Sequence, residues 1–300
     1  MSGAEHADKA EGHFRVLGTE EHTVIHGDAR VALEAAVPDL SVDLIFADPP
    51  YNIGKRFGDF RDSWPSDEDY AKWCYDWIDL CIKKLSPDGT MYLMTSTQAM
   101  PLIDLHVRER ACVISRIVWT YDSSGVQARH KFGSLYEPIL HIVKDSRRYT
   151  FNGTSIAVEA RTGAQRKLID YRKSVPTVYS STKVPGNVWH IPRVRYRMPE
   201  YEEHPAQKPE ALLERIILAS SNSGDVVLDP FSGSFTTSAV AQRLGRRSVG
   251  IEAQKDYVGV GLRRLGLATE LDGKCYPPIT KRIQRRSSRL PSSSDLSLDL

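Results

Sequence analysis

An α/β sheet fold is predicted from this sequence by three observations. Apolar runs of strand length alternate with stretches of helical spacing. Two of those runs end in Asp-Pro, at Asp48-Pro49 and at Asp229-Pro230. The second is followed by a Gly/Ser-rich turn and a helical stretch. Open α/β sheets bind ligands in that setting, beyond the carboxyl ends of their strands.

Residues 1–20 read as a flexible lead-in. "HTVIHGDAR" and "VDLIFADPP" are short β-rich runs closed by Gly-Asp and Asp-Pro. A helix is expected around Glu68–Leu85, with Tyr70, Trp73, Trp77, Leu80 and Lys84 at helical spacing. Both tryptophans are expected in the core rather than in a stacking site. "SPDGTMYLMT" reads as a turn and a strand, and "SRIVWTY" and "EPILHIVKD" as two more strands. Between these last two, Tyr121–Ser134 reads as a mobile loop over a pocket.

From about Arg147 to Glu203 the periodicity breaks down and Arg, Ser, Thr, Tyr and Pro dominate, as in an inserted excursion. "KPEALLERIILASS" restores regularity as a helix with Pro209 in its first turn. "DVVLDPFSGSFTTSAVAQRLG" and "RSVGIEA" read strand, loop, helix, strand. After about Thr269 the chain is Ser-rich and basic, a composition that buries little. The expected division is a lead-in over 1–20, one domain over 21–269 with the excursion at about 146–203, and a tail over 270–300.

A hydrophobic fraction of 41% and a charged fraction of 26% are those of an ordinary globular chain. No apolar run reaches the ~20 residues of a membrane helix, and the polar N-terminus has no signal-peptide core. The four cysteines, Cys74, Cys81, Cys112 and Cys275, have no CxxC spacing. They are expected to be reduced thiols of a cytoplasmic protein without a metal site. The net charge of +2 hides an asymmetry. Lys144–Lys208 holds thirteen Lys/Arg and six Asp/Glu, about +7 against −5 elsewhere, so this window is a candidate nucleic-acid face.

The first Asp-Pro loop is "DPPY". Asp48 is an acceptor suited to an exocyclic amino group. Pro49 and Pro50 fix the backbone and keep their carbonyls as acceptors. Tyr51 offers an aromatic face for a base. Acceptors beside a stacking platform suit a flipped nucleobase that carries an amino group. The second loop is "LDPFSGSFTT", with Glu252 after the next strand, placed to bind ribose hydroxyls. It lacks the Lys-Ser/Thr of a P-loop and the full GxGxxG of a dinucleotide site.

"DPPY" followed much later by "HPAQKPEALLERIILASSNSGDVVLDPFSGSFTT" resembles the β-class amino-methyltransferases of DNA. The likeness runs from about His22 to Leu265. It is greatest to the bacterial orphan adenine-N6 methyltransferases of the YhdJ type. The resemblance implies a Rossmann-like methyltransferase fold with a mainly parallel seven-stranded sheet, circularly permuted so that the catalytic half comes first, plus an inserted target-recognition region. It implies S-adenosylmethionine as methyl donor, no metal, and double-stranded DNA as partner, and it is compatible with a homodimer. No nuclease domain is read in the chain, and the enzyme is expected in the cytoplasm with the nucleoid.

Residue by residue, Asp48, Pro49, Pro50 and Tyr51 match the catalytic motif, and Asp48 is counted with the cofactor set as well. Asp229, Phe231, Ser232, Gly233, Ser234 and Thr236 match the loop for the cofactor's methionine part. Glu252 matches the ribose-binding acid and Asp28 an acid beside the cofactor's adenine. His204, Gln207 and Lys208 match the segment that holds its amino-acid end. In the basic window Arg147, Arg148, Arg166, Lys167, Arg172 and Lys173 are candidates for phosphate contacts. Arg193, Arg195 and Arg197 alternate as if on one face of a strand. The cofactor loop departs from the common Gly-Ser-Gly by carrying Phe235 in third place, where φ > 0 suits Gly better. Asp48 favours adenine, since cytosine-N4 enzymes of this architecture more often carry Ser there. Cytosine-N4 transfer is the alternative reading, and a noncatalytic nucleic-acid-binding module is a third.

Overall fold

The computed structural model describes residues 14–122, 129–130, 132–160, 167–172 and 174–276. Its central sheet is built from β1 (Phe14–Gly18), β2 (His22–Gly27), β3 (Val42–Ala47), β4 (Leu85–Met94), β5 (Cys112–Thr120), β6 (Tyr136–Val143), β7 (Val188–His190), β8 (Val226–Asp229) and β9 (Arg247–Glu252). Their order across the sheet is β1-β2-β9-β8-β3-β4-β6-β5-β7. Neighbours from β2 to β4 pair in parallel, and β6 runs antiparallel between β4 and β5. The seven strands from β2 to β5 are the expected mainly parallel sheet. Two more extend it: β1 folds back antiparallel on β2, and β7 adds parallel to β5.

β3 shows why its sequence is apolar without a break from Leu44 to Ala47. Ile45 and Ala47 enter one buried cluster and Leu44 and Phe46 the other, so helices cover both faces. α1 (Ala29–Ala36), α2 (Asp67–Lys84) and α3 (Met100–Arg108) lie on the first face. α4 (Glu210–Ser220) and α5 (Thr236–Arg243) lie on the second. α6 (Lys255–Arg264) packs through Val258 and Leu262 with Val24 and Phe235. α2 is capped by Ser66, whose hydroxyl accepts from Asp69 N–H at 3.1 Å. Acids fill its first turn and lysines its last, matching the helix dipole at both ends. It buries Tyr70, Cys74, Trp77, Ile78 and Cys81, each large side chain stabilising the fold by roughly 1.5–3 kcal/mol. Trp77 is core as expected, whereas Trp73 reaches the edge of the cavity described below.

The expected boundaries shift at both ends. Phe14–Gly18, inside the expected flexible lead-in, is an edge strand paired residue for residue with β2; residues 1–13 lie outside the described residues. Beyond Thr269, Glu270–Leu271 pairs with Lys274–Cys275, and Tyr276 is buried against Gly259. The folded part therefore continues to Tyr276, and residues 277–300 lie outside the described residues. Of the loop expected over Tyr121–Ser134, residues 123–128 and 131 lie outside them too.

The excursion is not structureless. Ile169–Asp170 pairs with Thr177–Val178, and Val158–Glu159 with Thr182–Lys183. β7 then returns the chain to the main sheet before the expected end of the insertion. β7 ends at His190, and the stretch carrying Arg193, Arg195 and Arg197 has no strand pairing, so the strand face expected for these three does not form.

Candidate active site

β3 and β8 pair in parallel, with Val227 beside Leu44 and Leu228 beside Ile45. Asp48 and Asp229, far apart in sequence, are therefore brought to one edge of the sheet. A cavity of 600 Å³ opens there, within the size range of small-molecule sites. Asp28, the whole Asp48–Tyr51 motif, His204, Gln207, Lys208, Glu252 and the loop residues Asp229, Phe231, Ser232, Gly233, Ser234 and Thr236 all line it.

One wall carries a charged cluster. Tyr51 donates its hydroxyl to Asp48 Oδ1 at 2.6 Å and to Glu137 Oε2, on β6, at 3.0 Å. Lys208 Nζ lies 2.5 Å from Asp48 Oδ2 and 3.6 Å from Glu137 Oε2. One ammonium thus serves two carboxylates. Burial pushes the Asp48 carboxyl above its usual range; Lys208 pulls it back and Glu137 pushes it up again. Burial alone would lower the Lys208 ammonium, but Asp48 and Glu137 raise it above its ordinary value. Lys55 and Arg193 also line the cavity, and Arg193 stacks over the Tyr121 ring at 5.0 Å.

The "DPPY" turn is braced from behind. Tyr70, on α2, donates its hydroxyl to the Pro50 carbonyl at 2.7 Å. The buried Asp62 carboxylate accepts Tyr51 N–H at 3.2 Å. Asn52 follows at φ +58°, a left-handed position that Asn tolerates, and its side-chain oxygen accepts Trp64 N–H at 2.8 Å.

A second wall is the Asp229–Thr236 loop. Gly233 has φ +49°, and a β-carbon on it would lie 2.8 Å from His204 Nε2. The loop is held from below: Glu252 accepts Gly233 N–H at 2.8 Å and Gln254 N–H at 2.7 Å. Asp229 accepts Phe231 N–H at 3.0 Å and the Thr237 hydroxyl at 2.5 Å. Burial pushes both carboxyls up to about 7, against the pull of these hydrogen bonds. Phe235 does adopt the left-handed conformation, φ +57°, and its ring is wholly buried. Arg264, on α6, donates to Ser234 O at 2.9 Å and to Glu210 at 2.9 Å, tying the loop to α4.

The third wall is the segment 202–208. His204 Nδ1 accepts Ala206 N–H at 3.2 Å, so the ring is neutral with its proton on Nε2. Burial, helped by Lys208 and Lys55, lowers its pKa to about 3. Gln207 is committed to the backbone at both ends of its amide, accepting from Glu202 N–H at 2.7 Å and donating to Glu200 O at 2.6 Å. It shapes the wall more than it offers polar groups to a ligand. Lys208 reaches Asp48 and also donates to Ala206 O, within the segment, at 3.4 Å. Asp28 caps α1, accepting Arg30 N–H at 2.9 Å and Val31 N–H at 3.3 Å.

The basic candidates scatter. Arg193 lines the cavity. Arg195 pairs with Asp122 at 2.5 Å, just past the carboxyl end of β5 and so on the cavity side. Arg197 sits at φ +73° over the Tyr196 ring. Arg172 is held in a fork by Asp170, at 2.8 and 3.0 Å, and Lys167 sits at φ +52°. Arg166 and Lys173 lie outside the described residues. Arg147 and Arg148 are at the wrong end for a shared face with the site. β6 carries the chain from Tyr136, level with Thr120, to Val143, level with Thr90. Val143, level through Thr90 with Leu44, lies four residues and roughly 13 Å back from the edge where Asp48 lies, and Arg148 is 4.0 Å from Asp88 at that far end.

Several contributors were not singled out in the sequence: Glu137, Tyr70, Asp62, Lys55 and Arg264. One signal was available for Glu137, a lone acid opening the otherwise apolar strand "YEPILHIV". The others are ordinary helix or loop residues whose partners lie far along the chain.

A family model described as DNA methylase matches residues 42–262. The chain is 54% identical over 95% of its length to the DNA adenine methyltransferase YhdJ of Escherichia coli (strain K12), covering 96% of that protein. It is 34% identical over 82% of its length to the Type II methyltransferase M.HpaI of Haemophilus parainfluenzae, covering 73% of it. Among solved structures it matches the PvuII DNA methyltransferase (cytosine-N4-specific), with TM-score 0.62, 19% identity and coverage of 83% and 87% of the two chains. It also matches the M1.HpyAVI–SAM complex, with TM-score 0.56, 24% identity and coverage of 81% and 98%. With the two Asp-Pro loops facing one cavity and this likeness along most of its length, the chain belongs to the DNA methylase family of N6- and N4-amino-methyltransferases.

Proposed function

We propose that this protein transfers the methyl group of S-adenosylmethionine to N6 of an adenine flipped out of double-stranded DNA. The observation that carries the reading is the Asp48 carboxylate, which lines the same cavity as the Asp229–Thr236 loop. Adenine is favoured over cytosine by Asp48 and by the adenine specificity in the name of the 54% identical relative.

The loop wall fits the cofactor. Gly233 lets the backbone come close without a side chain, and Glu252 offers a buried carboxylate toward hydroxyls. The polar wall at His204–Lys208 suits a charged amino-acid end. When bound, S-adenosylmethionine supplies an electrophilic methyl carbon on a sulfonium. Asp48 accepts one N6–H of the flipped base, and the Pro49 carbonyl accepts the other. These bonds draw the nitrogen lone pair out of conjugation and aim it, a positioning effect. The nitrogen forms the new bond to the methyl carbon while the sulfur keeps the electron pair of the bond that breaks. The proton leaves the nitrogen toward Asp48, whose raised pKa suits it to receive one. Tyr51, held by its hydroxyl, offers its ring for stacking.

Arg193 and Arg195, on the cavity side, are the basic residues best placed for the DNA backbone. Residues 146–203 are the part proposed to select the site. The reading places the enzyme with the nucleoid in the cytoplasm, and sedimentation on duplex DNA sizes it as monomer or homodimer. The test is transfer of labelled methyl groups to unmethylated genomic DNA, followed by nucleoside digestion. N6-methyladenine is expected. N4-methylcytosine would keep the mechanism and overturn the base, and label on RNA alone would overturn the polymer.

A further inference from the structure

Both oxygens of Asp48 are engaged in the base-free site. Oδ1 accepts the Tyr51 hydroxyl at 2.6 Å and Oδ2 faces Lys208 Nζ at 2.5 Å. Lys208 also lies over the Tyr51 ring, 5.6 Å from its centre. An incoming adenine needs the same carboxylate and the same ring, so Lys208 must yield. A buried ammonium that leaves its partner is costly unless a second partner is at hand. Glu137 is that partner: its Oε2 is 3.6 Å from Nζ and already accepts the Tyr51 hydroxyl at 3.0 Å. The lysine stem is flexible enough to make the exchange.

We infer that Glu137 is a positioning residue that receives Lys208 when the adenine amino group takes Asp48. The inference rests on the methyltransferase reading. It explains why two carboxylates share one lysine in a buried cluster: with base bound, Asp48 serves the amino group and Glu137 keeps the ammonium paired. The charged and titratable groups around Glu137 are Lys208 and Tyr51 in contact, Asp48 on the far side of the Tyr51 hydroxyl and the Lys208 ammonium that the two share, and Lys55, Arg193 and Tyr121 beyond them.

The test is single-turnover methyl transfer to unmethylated genomic DNA at saturating S-adenosylmethionine, across pH, with cofactor Kd measured alongside. Glu137→Gln still accepts from Tyr51 but offers no negative charge to the ammonium. It is expected to slow transfer about 10-fold or more with cofactor Kd unchanged, and Glu137→Asp to recover part of the loss. Lys208 then stays on Asp48 and the Glu137 repulsion is gone, so the acid limb of the rate should move to lower pH. In a Lys208→Met background the same Glu137→Gln change is expected to alter the rate by less than about 3-fold. An equal loss in both backgrounds, or an unmoved acid limb, overturns the inference. Should Lys208→Met be too slow to time, the acid limb of Glu137→Gln alone decides. A wild type that methylates nothing fails the methyltransferase reading instead; an active wild type matched by Glu137→Gln fails only this inference.

Discussion

Phe235 fills the space that Gly250 and Gly261 leave open. A β-carbon on Gly250 would lie 2.6 Å from Phe235 Cε1, and one on Gly261 would strike the same ring. The left-handed φ of +57° is the cost of this arrangement, and burial of the whole ring offsets it. Phe235→Gly relaxes the backbone, a gain of about 1 kcal/mol, but empties a core site, a loss of roughly 3–5 kcal/mol. A net loss of about 2–4 kcal/mol is expected in urea denaturation. Gly261→Ala is expected to destabilise too, with no backbone relief. A stabilised Phe235→Gly would show that the ring contributes little.

Tyr70 reaches the catalytic turn from α2 through the Pro50 carbonyl. Tyr70→Phe removes the donor and keeps the ring. An unpaired, largely buried carbonyl should lower stability by about 1–2 kcal/mol, and the looser turn should lower the transfer rate more than cofactor affinity. Unchanged rate with reduced stability would confine Tyr70 to the fold.

His204 gives the wall of the cofactor loop a pH dependence. Its folded pKa, about 3, is below its unfolded value of 6.5. Above pH 6.5 it is neutral in both states and costs nothing. As pH falls from 6.5 toward 3 the unfolded chain binds a proton that the folded site refuses, so stability is lost across that window. His204→Gln, compared by thermal denaturation at pH 7.5 and pH 5, is expected to lose less stability than the wild type on acidification. Equal losses would mean that the ring titrates normally.

The two ends of the basic window should behave differently toward DNA. Arg193→Ala is expected to weaken binding and to reduce the salt slope by about 1. Arg148→Ala, at the far end of the sheet, is expected to leave affinity within about 2-fold. The reverse result in a salt titration would move the DNA path to the opposite edge.

The site was legible in the sequence wherever chemistry sits in a local motif. "DPPY" and "LDPFSGSFTT" each carry their backbone constraints and side chains within ten residues, and both loops line one cavity. What was not legible depends on pairing across the chain. Glu137 matters only because β6 lies beside β4 and brings it against Tyr51. Arg147 and Arg148 share a charge window with Arg193, but an antiparallel strand carries them to the other end of the sheet. Gln207 stands in a polar motif, yet its amide is consumed by two backbone groups. The arginines at 193, 195 and 197 alternate as a strand would, but the strand stops at His190. Charge and spacing in a sequence name the residue types; the sheet decides which of them meet.

The central claim is that Asp48 holds the amino group to be methylated. The measurement that tests it most directly is single-turnover methyl transfer to unmethylated genomic DNA by wild type and Asp48→Ala, with cofactor Kd determined for both. Asp48→Ala is expected to bind S-adenosylmethionine within a few fold of wild type and to lose transfer by at least roughly 10²-fold, with N6-methyladenine from the wild type alone. Transfer by Asp48→Ala at a rate near wild type would contradict the claim.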